Sequence, residues 1–131
     1  MVTIVTALFD GKETYLGWND GITLGDTSIE STSNPWLFFG NWALGITGES
    51  VQQDVLSLNL KDLEGAGEDA VVVADVIRRI LNEYGHYSDD NNASASYKIW
   101  CILVNKKGQI WDLDERLALT AIPTNLSLIH I

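Results

Sequence analysis

The residues of this sequence that could do chemistry are few. Thr3 stands third from the amino end, at the head of the β-prone run Thr3-Ile4-Val5-Thr6-Ala7-Leu8-Phe9. A threonine whose α-amine is free carries its own general base, because that amine can take the proton from the attacking hydroxyl. Thr3 gains this only if Met1 and Val2 are removed; otherwise it reads as a strand residue of good β propensity. Cys101 lies inside an apolar run with no base near it in sequence, which reads as a buried structural thiol. His86, in a polar stretch, and His130, near the carboxyl end, do not compose a hydrolase triad. Asp89-Asp90-Asn91-Asn92 is rich in oxygen ligands but lacks the alternating spacing and closing glutamate of a calcium loop, so no metal is expected. No glycine-rich phosphate loop is present, and no cofactor is expected.

Thr3 is positioned by a hairpin. Asp10-Gly11 is a strong turn signal, and Glu13-Thr14-Tyr15-Leu16-Gly17-Trp18 returns as a second strand. Ile22-Thr23-Leu24 is a short apolar piece between Gly21 and Gly25, and Asp26 to Asn34 reads as a loop. Trp36 to Phe39 and Trp42 to Ile46 form two strands around Gly40-Asn41; their continuous apolar character predicts burial on both faces. A helix begins near Ser50, with Val51, Val55 and Leu58 on one face. Lys61 to Asp69 reads as a loop. Asp69 to Tyr84 is the clearest helix, with Ala70, Val73, Ile77, Ile80, Leu81 and Tyr84 in one stripe and Val72 and Val76 as a second apolar edge; Gly85 suits its cap. His86 to Ser96 is a loop, within which Asn92-Ala93-Ser94 matches a glycosylation sequon. Tyr97 to Val104, Gln109 to Leu113 and Leu117 to Ile122 read as strands, the first two joined by a hairpin at Asn105 to Gly108. Strands, then two helices, then strands give an α+β class.

The chain's 131 residues fit one domain, assigned to 1–123. Residues 124–131 read as a tail whose apolar ending leaves open an origin in translated adapter sequence. A net charge of −10 argues against nucleic acid, whose phosphates attract lysine and arginine. Nothing approaches the roughly 18 consecutive apolar residues of a membrane helix. A single cysteine and the lack of a signal-peptide pattern lead to the expectation of a reduced, cytoplasmic setting.

The opening Val2-Thr3-Ile4-Val5, the Asp10-Gly11 turn, Gly17, Asn19-Asp20-Gly21 and Thr23-Leu24-Gly25 resemble the start of proteasome β-subunits, and most of all the bacterial HslV peptidase. Those proteins are N-terminal-nucleophile (Ntn) hydrolases. Leu44-Gly45-Ile46-Thr47-Gly48 is similar to that family's small-residue strand end before its first helix, and Ile102 to Ile110 followed by Glu115-Arg116-Leu117-Ala118-Leu119 is similar to its later hairpin. The resemblance spans residues 2 to about 120. It implies an α-β-β-α sandwich of four layers with two antiparallel sheets, the last helices shortened or missing here. It also implies assembly into a ring-like homo-oligomer, with the helices near Ser50 and Asp69 as interface surfaces, and a peptide or protein substrate. By the same resemblance the site would hold a threonine nucleophile, an acid after the first hairpin and a lysine at the start of the next strand.

Carried over residue by residue, that chemistry is incomplete. Alignment through Thr3-Ile4-Val5 puts Val2 at the family's first threonine, so Thr3 serves only after processing. Asn19 falls at the acid position with Asp20 beside it; a one-residue shift turns one into the other, and neighbouring strand residues face opposite ways. No lysine or arginine occurs between Lys12 and Lys61, so the expected position, around Ser33 to Trp36, holds no cation. The family's late Gly-Ser-Gly is replaced by Thr120-Ala121-Ile122. The expectation is an Ntn-fold protein with impaired or absent threonine peptidase activity, the alternative being an active peptidase processed to Thr3.

Overall fold

The computed structural model describes residues 4–18, 21–24, 27–30, 35–48, 50–84, 96–122 and 126–130. Its elements are β1 (Ile4–Phe9), β2 (Thr14–Trp18), β3 (Gly21–Leu24), β4 (Thr27–Glu30), β5 (Trp36–Phe39), β6 (Trp42–Gly48), α1 (Ser50–Ser57), α2 (Leu60–Glu64), α3 (Ala70–Tyr84), β7 (Ile99–Asn105), β8 (Ile110–Leu113), β9 (Leu119–Ala121) and β10 (Leu126–His130). They make two five-stranded antiparallel sheets, ordered β10-β1-β2-β3-β4 and β5-β6-β7-β8-β9.

Alternation along the strands sorts two cores. Val5, Ala7, Leu16 and Trp18 of the first sheet pack against Trp36, Ala43, Ile102, Val104 and Ile110 of the second, closing the space between the sheets. The other face of the second sheet presents Leu44, Ile46, Ile99, Cys101, Leu103 and Leu113 to the helices. Strand β6 is buried from Trp42 to Thr47, because both its faces are covered, as its unbroken apolar run predicts. The three helices pack on the second sheet. On the outer face of the first sheet Ile4 and Leu8 remain exposed. No helix among the described residues is long and apolar enough to cross a membrane.

Four local expectations change. Residues 27–30, expected in a loop, form β4, because backbone pairing with β3 outweighs their Ser- and Thr-rich composition. Leu60–Glu64 forms the short helix α2, held by burial of Leu63 in the helical core. On α1 the buried residues are Gln52 and Leu56 rather than Val51 and Leu58, which is 84% exposed. The Gln52 amide can turn inward because its Nε2 donates to Tyr97 O at 3.0 Å. On α3 the stripe holds from Ala70 to Leu81, Val76 joins it, and Tyr84 points to solvent. The segment 126–130 pairs with β1 as an edge strand.

Candidate active site

The relative alignment of the sheets decides which strand ends share a pole. An ideal Cβ on Gly108 would fall 2.3 Å from the ring of Phe9, so the end of β1 sits against the β7–β8 hairpin. Strand β1 also crosses β6 and β7. Its beginning, Ile4, therefore lies at the opposite pole, where β6 ends at Gly48, β7 begins at Ile99 and β5 begins at Trp36. The end of β2 joins them, since Val5 pairs with Trp18.

Thr3, Asn19 and Asp20 lie outside the described residues. Their bonded neighbours Ile4 and Trp18 end adjacent strands at this pole. The hairpin behind them is fixed by Asp10, whose Oδ1 accepts from the backbone N–H groups of Lys12 at 2.9 Å and Glu13 at 2.8 Å. Those bonds, Glu13's first, hold the Asp10 carboxyl below its ordinary pKa.

At this pole the second sheet supplies bulk. Trp36 occupies the last of the positions at which a cation was expected. It is 3% exposed, and its indole Nε1 donates to Gly17 O at 3.1 Å, tying β5 to β2 across the sheets. Its ring lies flat against its register partner Gly45, where a Cβ would come within 2.8 Å of three ring positions. Gly45 is thus a close-approach glycine: only a residue without a side chain leaves room for the indole. Trp18 and the half-buried Trp100 belong to the same cluster. Trp18 Nε1 is buried and has no hydrogen-bond partner among the described residues, a group whose desolvation costs about 1–3 kcal/mol. Three indoles, Trp18, Trp36 and Trp100, none ionisable, therefore cluster between the sheets.

The strand end is also tight. Gly48 closes β6 at φ 117° beside the carbonyl of Lys98, where a Cβ would fall 2.3 Å from that oxygen. Helix α1 follows at Ser50. Lys98 itself has φ 62°, an uncommon backbone state for a residue with a side chain, and its N–H donates to Ser96 Oγ at 3.3 Å. It is an exposed cation at this pole. Thr120 is exposed on β9, in register with Asp112.

Sequence reasoning read Trp36 and Trp42 alike, each opening a strand covered on both faces, and Trp36 packs between the sheets. Trp42 faces the helices instead: its Nε1 donates to Gly67 O at 2.7 Å and its ring lies 5.5 Å from that of Trp111. The residues it missed are Trp18, Trp100 and Lys98. Strand alternation could have found the first two, since Trp18 is in phase with Leu16 and Trp100 with Ile102. Cys101 faces the helical core, fully buried, and burial pushes its thiol pKa far up, so it holds a neutral, unreactive thiol. Among the described residues no group of three His, Cys, Asp or Glu could hold a metal ion.

No family model matches the sequence, and no curated protein matches it. Solved structures do. BPH of Thiobacillus denitrificans in complex with epoxomicin superposes with a TM-score of 0.65 at 14% identity, over 96% of this chain and 70% of that chain. A second structure of Thiobacillus denitrificans BPH gives 0.64 at 14%, with the same coverage. Eukaryotic HslV from Trypanosoma brucei gives 0.56 at 15%, over 97% of this chain and 71% of that one. At such identity the likeness is one of fold: two stacked antiparallel sheets with helices, the α+β Ntn-hydrolase type.

Proposed function

We propose that this chain is a proteasome- and HslV-like Ntn-fold protein whose threonine peptidase chemistry is impaired or absent, and that it works as a homo-oligomer. The observation that carries the reading is Trp36. At Trp36, the last of the positions at which the resemblance expects a lysine, stands a buried indole hydrogen-bonded to Gly17 and packed on Gly45. A threonine hydroxyl becomes a nucleophile at neutral pH only when a base takes its proton and a nearby positive charge stabilises the alkoxide. An indole offers neither. With Val2 ahead of Thr3, and Asn19 and Asp20 sharing the acid position, Thr3 lacks its partners. The assembly reading is supported by apolar side chains left exposed on the helical layer, Val51, Val71 and Val72 among them, at the helices the resemblance assigns to interfaces. A buried, neutral Cys101 fits a reducing, cytoplasmic setting.

One observation favours the alternative, an endopeptidase processed to Thr3. Lys98 stands exposed at the same pole and could supply a cation from a different strand. The two readings separate in one experiment. Intact mass fixes the first residue, and hydrolysis of fluorogenic peptides is compared with a Thr3→Ala variant. Impairment predicts equal rates; activity abolished by the substitution supports the peptidase. Light scattering that finds only monomer contradicts the assembly.

A further inference from the structure

Strand β9 is an outer strand of the second sheet and pairs with β8 on one side only. Its register settles which way its backbone groups point. In an antiparallel pair, residues that exchange hydrogen bonds alternate with residues that do not. Ile122 N donates to Ile110 O at 2.9 Å and Asp114 N to Ala118 O at 3.3 Å, so between them the bonded pair is Asp112 with Thr120. Trp111 with Ala121 and Leu113 with Leu119 are the pairs that exchange none. The N–H and C=O groups of Leu119 and Ala121 therefore point away from β8, and no described residue pairs with them. An edge of this kind is a template for another strand, and β9, though short, carries no charge, proline or bulge to blunt it.

A cleft of about 700 Å³ adjoins the same edge, between β8, β9 and the head of α3. Leu119 and Ala121 line it beside Trp111, and all three reach solvent: Ala121 is exposed, Leu119 and Trp111 are half-buried. Directly paired strand residues share a face. In a segment added to β9, the residues bonded to Leu119 and Ala121 are thus the ones whose side chains enter the cleft. Both ionisable groups at its rim are acids, Glu68 and Asp69, and no cation among the described residues lines it. Each acid is anchored through one oxygen: Glu68 Oε1 accepts from Asn41 Nδ2 and Asp69 Oδ1 from the Val71 N–H, both at 2.9 Å. A lysine or arginine whose stem lies on Trp111 brings its charge to them. The β9 edge of a second copy would instead bring the same two acids against them, so charge selects a basic partner over self-pairing.

We propose that β9 is a docking edge for an extended, basic segment of a partner protein, which pairs with Leu119 and Ala121 and lays a lysine or arginine over Trp111 towards Glu68 and Asp69. The edge lies at the pole away from Thr3, so it stands or falls separately from any peptidase activity. The test is an NMR titration of the full chain with acetyl-Thr-Lys-Val-Lys-Thr-amide, whose two lysines match the spacing of Leu119 and Ala121. The expected result is saturation with a Kd of about 1 mM or tighter, with shifts at the Leu119 and Ala121 amides and the Trp111 indole. N-methylation of both lysines abolishes binding, whereas N-methylation of the valine, whose N–H points outward, leaves it unchanged. Ala121→Pro removes an outward donor without touching the β8 ladder, so the variant melts as a folded protein and loses the peptide. Glu68→Gln with Asp69→Asn keeps both anchoring acceptors and weakens the peptide about threefold or more. Val71, exposed at the cleft's lip, is among the side chains offered above for assembly, so light scattering accompanies the titration. The proposal is overturned by no saturation up to about 10 mM, by equal binding of a peptide with glutamates for lysines, or by indifference to which residue is methylated. A change in light scattering on adding the peptide also overturns it, by assigning the edge to a second copy of the chain.

Discussion

The contact between Trp36 and Gly45 can be broken from the glycine side. In Gly45→Ala the new Cβ would sit 2.8 Å from the indole of a side chain that is itself 3% exposed. The indole cannot swing away without giving up its 3.1 Å bond to Gly17 O. Overpacking of this kind costs about 1–3 kcal/mol, and the lost hydrogen bond about 0.5–1.5 kcal/mol. Against this, alanine gains about 0.5–1 kcal/mol over glycine in a strand through chain entropy. The net expectation is a loss of about 2 kcal/mol, against a total stability on the order of 5–15 kcal/mol. The same substitution made in a Trp36→Leu background meets no ring, so its cost should vanish or turn into a slight gain. Urea unfolding of the four proteins gives the coupling directly; with slopes of about 1–3 kcal/mol per molar, the wild-type background shifts by about 1 M. Equal costs in the two backgrounds would refute the claim that Gly45 exists to seat the indole.

Three further outcomes follow from the same geometry. Gly48→Ala, at φ 117° and against the Lys98 carbonyl, should destabilise by about 3 kcal/mol or prevent folding, read by thermal melting. The depressed pKa of Asp10 means its hairpin bonds stabilise the fold above the ordinary carboxylate range and are lost as pH falls through the folded value; Asp10→Asn should flatten that part of the acid-unfolding curve. Cys101 should resist thiol-specific reagents in the folded protein and react at once in denaturant, in a colorimetric thiol assay.

Local patterns in the sequence carried far. The Asp10-Gly11 hairpin, the doubly covered β6 and the α3 stripe from Ala70 to Leu81 follow from turn chemistry and periodicity and form as read, while Tyr84 at the stripe's end turns to solvent. Long-range partners were not legible. The burial of Gln52 could not be read locally because its acceptor, Tyr97 O, is 45 positions away. Leu58 looked like core because hydropathy does not reveal that α1 ends beneath it. The lack of a cation between Lys12 and Lys61 was plain in the sequence. The burial of Trp36 between the sheets was not, because it depends on its register with Gly45 and on the stacking of two sheets. Lys98 escaped notice for the same reason: only the pairing of β6 with β7 brings it beside Gly48.

The central claim is that an indole has taken the place of the charge a threonine peptidase requires. Its most direct test is the rate at which the purified protein cleaves a fluorogenic peptide, set against the Thr3→Ala variant. The account predicts two indistinguishable rates at the level of the buffer blank. Turnover in the unaltered protein that disappears with Thr3→Ala would contradict it.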